Sequence, residues 1–237
     1  MPYIVVPASQ PKLPVVFTEA DESDPGPYPI PADAPVEGGS DRHVLALQEG
    51  TCRLYEMYSA SLGGGSWHAY SGALFDLRSN ALRPDGWTSA DAAGLPILPG
   101  LIRYDEVRAG AIRHALRFTV EKHPTRVRPP RDPFRLERHE SRPSADGASP
   151  AHEGIVSDRG PLARGAVILG ALKRYGMLVT DNGSNWFIAG ASDTHWNDEA
   201  LDDLKTIPGS AFEVVKSGPS INLDTTVVRL PQACQRG

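Results

Sequence analysis

The sequence predicts one α+β domain over residues 1–237, mainly an antiparallel β-sandwich-like domain with two helices in the C-terminal third. Short runs in the N-terminal half alternate apolar and polar residues, which is typical of strands. The chain contains 23 Gly and 22 Pro, which favours a loop-rich β protein over a helical bundle. Segments that combine an apolar helical pattern with helix end signals lie in the C-terminal third.

The N-terminal strands are predicted from alternating runs. Residues 3–6 and 14–17 are short strands, and residues 42–48 and 51–58 form a hairpin through Glu49-Gly50. Residues 65–79 form one long strand. Alternation places one set of its side chains in the core: Ala69, Ala73, Phe75 and Leu77. The other set forms a mixed face, on which ligands can bind: His68, Tyr70, Leu74 and Asp76.

The segment from 88 to 120 combines short turns with one strand. Residues 88–94 carry a helix N-cap at Thr88 or Ser89, which predicts a short helical turn. Residues 104–110 predict another single turn, which ends at Gly110. Residues 112–120 are predicted as a strand. Its inward side chains are Ile112, His114, Leu116, Phe118 and Val120, and its outward ones are Arg113, Arg117 and Thr119.

The composition changes after Val120. Residues 121–164 contain seven Pro and eight Arg without a strand or helix period, which predicts an irregular or disordered insertion. A basic substrate-binding loop is the functional alternative for this segment.

The C-terminal third regains regular patterns. A helix is predicted over 165–177 and closes at Gly176. Asn182-Gly183 between two strand-like runs predicts a hairpin with a two-residue type I′ turn. A second helix is predicted over 193–209, with Leu201, Leu204 and Ile207 buried, and strands are predicted over 210–216 and 225–230.

Charge and composition exclude several function classes. The net charge is −5, which argues against nucleic acid as a partner because phosphate binding needs a basic surface. There is no apolar run of membrane-spanning length, and residues 1–17 lack the basic start of a signal peptide. Cys52 and Cys234 either form a disulfide or remain two separate thiols.

Four blocks of the chain resemble a family of uncharacterised bacterial proteins that are often secreted and are common in actinobacteria and soil metagenomes. These blocks are residues 41–58, 67–107, 112–120 and 170–193. The resemblance implies an extracellular location but no particular activity. At 127–135 the family pattern is similar to V-R-P-A-T-H-F-A-S, whereas this chain has VRPPRDPFR. We hypothesise that residues 126–160 are the product of a frameshift that is later restored, in which case the histidine of that pattern is missing.

Carboxylates and aromatic residues provide the candidate chemistry. Hydrolysis of a glycosidic bond needs one protonated acid and one ionised carboxylate on either side of the substrate. The catalytic candidates are Asp76, Asp91, Asp105 and Glu106. The candidates for sugar stacking and hydroxyl binding are Trp67, His68, Tyr70, Asn80, Trp87, Arg103, His114, Asn185 and Trp186. The leading prediction is therefore hydrolysis of a polysaccharide or oligosaccharide, and the alternative is a non-catalytic carbohydrate- or surface-binding module.

Other chemistries fit the sequence less well. His68, Asp76 and His114 do not predict a metal site, because eight residues of extended strand separate His68 from Asp76 by about 26 Å. The run GGGSW at 63–67 lacks the final glycine of a serine nucleophile elbow. There is also no glycine-rich nucleotide-binding loop, so we expect no cofactor.

Overall fold

The computed structural model describes residues 1–84, 86–121, 134–138, 161–197 and 199–216. Within these ranges strands dominate, in three sheets, and they are accompanied by two α-helices and several short 3-10 helices. The mainly β character and the α+β class predicted from the sequence are confirmed. Each sheet contains one parallel pair of strands beside its antiparallel ones, and the sandwich-like packing of the sheets remains a prediction.

The first sheet contains four strands in the order β1-β3-β4-β7. They are β1 (Ile4–Val6), β3 (Val44–Gln48), β4 (Arg53–Tyr58) and β7 (Ser71–Asp76). The predicted hairpin is confirmed, since β3 and β4 are antiparallel neighbours. All five residues of β3 are buried, because this strand lies between β1 and β4 with both of its faces covered.

The second sheet has the order β2-β6-β5 and consists of β2 (Val15–Phe17), β5 (Ser61–Gly63) and β6 (Ser66–Ala69). The prediction of one long strand over 65–79 is wrong, because the chain passes from β6 in this sheet to β7 in the first sheet at Tyr70. The N–H of Tyr70 donates to the carbonyl of Tyr58, while its own carbonyl accepts from the N–H of Glu19. The predicted core face is confirmed at Ala69, Ala73 and Phe75.

The third sheet has the order β11-β8-β10-β9-β12. Its strands are β8 (Leu116–Val120), β9 (Phe134–Arg138), β10 (Met177–Asn182), β11 (Phe187–Ile188) and β12 (Phe212–Lys216). The segment predicted as an irregular insertion therefore contributes β9, and most of its other residues lie outside the described ranges. The predicted strand at 225–230 also lies outside them.

The predicted hairpin at Asn182-Gly183 is wrong. β10 and β11 are not neighbours, because β8 lies between them, parallel to β10 and antiparallel to β11. Neither residue of the predicted turn has the positive φ that a type I′ turn requires. The N–H of Gly183 instead donates to the carbonyl of Val120 over 3.1 Å, so the chain crosses the end of β8.

Two of the four predicted helical segments form α-helices. α1 (Tyr104–Arg108) is a single turn that ends before Gly110. α2 (Pro161–Tyr175) is followed by Gly176, whose φ of 67° suits the residue after a helix C-terminus. The helix predicted over 193–209 is a 3-10 helix at Glu199–Thr206. The segment 88–94 forms turns and bends without a helical turn. In the described part of the chain, no helix is long and apolar enough to cross a membrane.

Candidate functional site

Four of the predicted site residues lie together at α1. Arg103 precedes the helix, Asp105 and Glu106 form its first turn, and His114 lies on the segment that leads into β8. The Nη2 of Arg103 is 2.5 Å from one carboxylate oxygen of Glu106, and the Nε2 of His114 is 3.2 Å from the other. Both oxygens of Glu106 therefore have a nitrogen partner. Asp105 is the exposed member, with 72% of its side chain accessible.

An aromatic stack borders this group. The ring of His195 lies 5.1 Å from the ring of Tyr104 at an angle of 18°, and Trp196 contacts the same tyrosine edge-on. The His195 side chain is 69% exposed, and its Nδ1 is 2.6 Å from Asp193. Hydrogen bonds from the backbone and ring of His195 lower the pKa of Asp193. The stack thus presents an imidazole and an ionised carboxylate to solvent.

Tyr3 links the two halves of this arrangement. Burial raises the pKa of its hydroxyl, and Asp105, Asp193 and Glu106 raise it further, while the opposite charge of Arg103 lowers it. The charges of carboxylates from two separate parts of the chain therefore act on one hydroxyl group. We call this region the α1 surface, and it comprises Tyr3, Arg103, Tyr104, Asp105, Glu106, His114, Asp193, His195 and Trp196.

The structure places the remaining predicted residues elsewhere. Trp67 is 1% exposed and donates through its indole nitrogen to the carbonyl of Ile30, so it presents no ring face to solvent. His68 and Tyr70 are exposed on and beside β6. Asp76 and Asn80 are exposed at and beyond the end of β7.

Three further predicted residues also lie apart from α1. The ring of Trp87 is partly buried and lies 5.3 Å from the guanidinium of Arg83. Asn185 accepts a hydrogen bond from the N–H of Glu121, and Trp186 stacks on Phe118 with 5.4 Å between the ring centroids.

Asp91 belongs to a buried ion pair. It is 2% exposed, and one of its carboxylate oxygens is 2.5 Å from the Nη2 of Arg117. Burial raises the pKa of Asp91 to about 6, although Arg117 opposes the change. The prediction that Arg117 points outward is wrong, since it is 3% exposed. Met1 and Gly100, which are distant in sequence, cover this side of β8.

Two further ionisable residues lie in the same interior and were not predicted. Glu56 is fully buried and accepts hydrogen bonds from the N–H groups of Ile97 and Leu98, and burial raises its pKa to about 7. His43 is 1% exposed and lies 2.5 Å from Glu37. Burial acts to lower the pKa of His43, but the hydrogen bond and charge of Glu37 outweigh it, so that the pKa is raised.

None of these buried ionisable residues lies in a local sequence pattern that is known from functional sites. They are Asp91, Arg117, Glu56 and His43. Glu56 interrupts the apolar part of its strand, LYEMY, and this interruption is the one local sign that could have indicated a buried carboxylate.

Comparisons of the chain with family models, curated proteins and solved structures give no match. Among the described residues, no group of three or more His, Cys, Asp or Glu side chains could hold a metal ion. An open groove of about 640 Å³ lies along β2, lined by apolar residues such as Pro14, Val16 and Pro25 together with Ser23. It contains none of the predicted site residues. The α1 surface is therefore the best-supported site in the described structure.

Proposed function

We propose that the chain binds a carbohydrate at the α1 surface without cleaving it. The observation that supports binding is the exposed ring of His195, which stacks on Tyr104 and lies 2.6 Å from the carboxylate of Asp193. The exposed carboxylate of Asp105 follows Tyr104 directly in the chain. A sugar offers an apolar C–H face and a rim of hydroxyl groups. Flat rings pack against the first, and carboxylates accept hydrogen bonds from the second. The resemblance to secreted bacterial proteins supports an extracellular location for this activity.

The charge state of the carboxyl groups argues against cleavage. A glycosidase needs one carboxylic acid that keeps its proton and reaches the substrate. Glu56 and Asp91 have raised pKa values, about 7 and about 6, but both are buried at 2% exposure or less. On the α1 surface, the pKa of Asp193 is lowered, and Glu106 already contacts two cationic or hydrogen-donating side chains.

Hydrolysis of a polysaccharide is the second candidate function. It is favoured by Asp105, Glu106 and Asp193, because these carboxylates come from two separate segments of the chain and their charges all act on the hydroxyl of Tyr3. Carboxyl groups on separate segments can flank a bond from two sides, as both glycosidase geometries require.

Binding is tested by depletion of the protein from solution by a panel of insoluble polysaccharides, followed by calorimetry with soluble oligosaccharides of any that bind. We expect His195→Ala and Asp105→Asn each to weaken binding by about 5–30-fold, which corresponds to the loss of one packed ring or charge-assisted hydrogen bond. His68→Ala, which removes another exposed imidazole, from the second sheet, is the matched control and should bind normally. Equal binding by all three variants would contradict the proposal.

Hydrolysis is tested on the same panel by measuring released reducing ends. We expect no release from the wild-type protein. If reducing ends appear, and both Asp105→Asn and Glu106→Gln abolish them, then hydrolysis replaces binding as the function of this surface. The two assays are independent, so a polysaccharide that is bound but not shortened identifies the non-catalytic module.

A further inference from the structure

We propose that residues 89–98 form a pH-sensitive connection between the first and third sheets, which is closed in acid and opens locally as the pH rises. We call these residues the connecting segment. The structure describes all of them, and they form bends and turns up to the start of a 3-10 helix at Leu98, with no strand residue. Individual hydrogen bonds to the two sheets therefore hold this segment in place.

The first sheet holds the connecting segment near both of its ends. The Nε2 of His43, the residue before β3, lies 2.9 Å from the carbonyl oxygen of Ala90. The carboxylate of Glu56 on β4 accepts from the N–H groups of Ile97 and Leu98 over 2.9–3.0 Å. Both ionisable side chains belong to residues that are 1% exposed or less, so the closed segment keeps water away from them.

The third sheet holds the middle of the connecting segment. One carboxylate oxygen of Asp91 lies 2.5 Å from the Nη2 of Arg117 on β8. The N–H of Ala93 donates to the carbonyl of Thr180 on β10 over 2.9 Å. The same short segment is thus bonded to strands of two sheets, and a buried ionisable group acts near its start, in its middle and at its end.

The partners of His43 require a hydrogen on each ring nitrogen. A carbonyl oxygen can only accept a hydrogen bond, so the Nε2 that faces Ala90 carries a hydrogen. The Nδ1 lies 2.5 Å from a carboxylate oxygen of Glu37, which favours the imidazolium cation. Burial acts to lower the pKa of His43, but the hydrogen bond and charge of Glu37 outweigh it, so the pKa is raised. Loss of the proton leaves one hydrogen for two acceptors.

The two buried carboxyl groups respond to pH in the same direction as the histidine. Burial raises the pKa of Glu56 from 4.5 to about 7 and that of Asp91 from 3.8 to about 6. Each of the three groups therefore binds its proton more tightly when the segment is closed. Their contribution to closure is complete below the ordinary pKa of each group and is lost as the pH rises to the raised value.

Other titratable and charged groups lie around this cluster. The charge of Arg117 lowers the pKa values of all three groups and so reduces their shifts. Burial raises the pKa of Asp181, which has the same sign. Burial acts to raise the pKa of Glu37, but the hydrogen bond with His43 outweighs it, and its contribution stays constant above pH 4.5. Burial lowers the pKa of the Met1 amino group, which has the opposite sign, but its hydrogen bond goes to a residue outside the segment.

The end of the connecting segment reaches the α1 surface. The carbonyl of Leu98 accepts from the Nη1 of Arg103 over 3.4 Å, and the Nη2 of Arg103 contacts Glu106. Opening at Leu98 therefore removes one contact that positions Arg103 at that surface. The connection itself does not rest on the proposed carbohydrate binding, and its test uses no ligand.

Amide hydrogen exchange measured by NMR at pH 5 and pH 8 tests the connection. The rates are corrected for the intrinsic pH dependence of exchange, and the protection of Ala93, Ile97 and Leu98 is compared with that of β3. Opening that admits water to Glu56 should raise the open fraction by about 50–100-fold between these pH values. We expect the segment at pH 8 to exchange faster than β3 and to respond little to low concentrations of urea, because local opening exposes little surface.

Two variants assign the effect to the buried carboxyl group. Glu56→Gln should keep at pH 8 the protection of Ile97 that the wild type has at pH 5. Glu49→Gln, in the exposed turn of the same hairpin, should behave like the wild type. Equal protection of the segment and of β3 in the wild type at both pH values would overturn the proposal, because the segment would then open only with the whole fold. A loss of protection in Glu56→Gln as large as in the wild type would also overturn it.

Discussion

Replacing Glu56 by glutamine changes how the stability of this protein depends on pH. The glutamate is fully buried on β4, and its pKa rises from 4.5 to about 7 because the charged form loses its water. Between those two pH values the folded state keeps a proton that the unfolded chain releases. The contribution of this group to the free energy of unfolding is therefore complete below pH 4.5 and is lost as the pH rises to about 7.

The size of the effect follows from the same two values. Each pH unit between them corresponds to about 1.4 kcal/mol, so that ionised Glu56 costs about 3 kcal/mol of folding free energy above pH 7. Glu56→Gln carries no charge at any pH and keeps one oxygen to accept from the N–H groups of Ile97 and Leu98. The free energy of unfolding of the variant, minus that of the wild type, should rise by about 2.5 kcal/mol between pH 5 and pH 8.

Urea denaturation at several pH values measures this difference. Four tryptophans report unfolding, and Trp67 is enclosed in the core. Glu49→Gln is the matched control, because it removes the same charge from the exposed turn of the same hairpin. A difference between Glu56→Gln and wild type that stays constant with pH would refute the reasoning. It would mean that the N–H donors of Ile97 and Leu98 keep the buried carboxylate ionised despite the loss of water.

Three further predictions concern single contacts. Arg117→Met should lower the free energy of unfolding by about 3–5 kcal/mol, because it leaves the buried charge of Asp91 unpaired, and a double-mutant cycle with Asp91→Asn should be non-additive. Gly72→Ala should lower the urea midpoint, at a cost of about 1–3 kcal/mol, since a Cβ there would lie 2.4 Å from the ring of Phe17. Gly170→Ala should raise the melting temperature through a gain of about 0.5–1 kcal/mol, since it fills open space on α2. An unchanged urea midpoint for Gly72→Ala, or a melting temperature of Gly170→Ala below that of the wild type, would contradict these packing arguments.

Two elements of the fold could be predicted because neighbouring residues alone determine them. The β3–β4 hairpin is an alternating pair around a short turn, and α2 is an apolar helix closed by Gly176. The failures involve distant segments. The alternation of burial continues from β6 to β7, so periodicity contains no sign that the chain changes sheets at Tyr70. Asn182-Gly183 has the residues of a tight turn, but β8 pairs with the strands on both sides of it.

The candidate site was predictable to a similar extent. Arg103, Glu106 and His114 lie within twelve residues of one another, and the structure brings them together. Asp193 and His195 reach the same surface from the other side of the long insertion, so spacing gives no indication of them. Burial also cannot be derived locally, since Arg117 follows an outward pattern and is covered by Met1, the first residue of the chain.

The position of β8 between β10 and β11 has a consequence for the order of synthesis. The strands of the first two sheets are complete at Asp76, and β8 is complete at Val120, but neither of its neighbours exists until the ribosome reaches Met177 and beyond. At roughly 5–20 residues per second, β8 leaves the ribosome several seconds before it can pair. During that interval both of its edges are open to other chains. A nascent protein of this topology therefore exposes one particular strand, β8, to pairing with other chains until β10 and β11 have been synthesised.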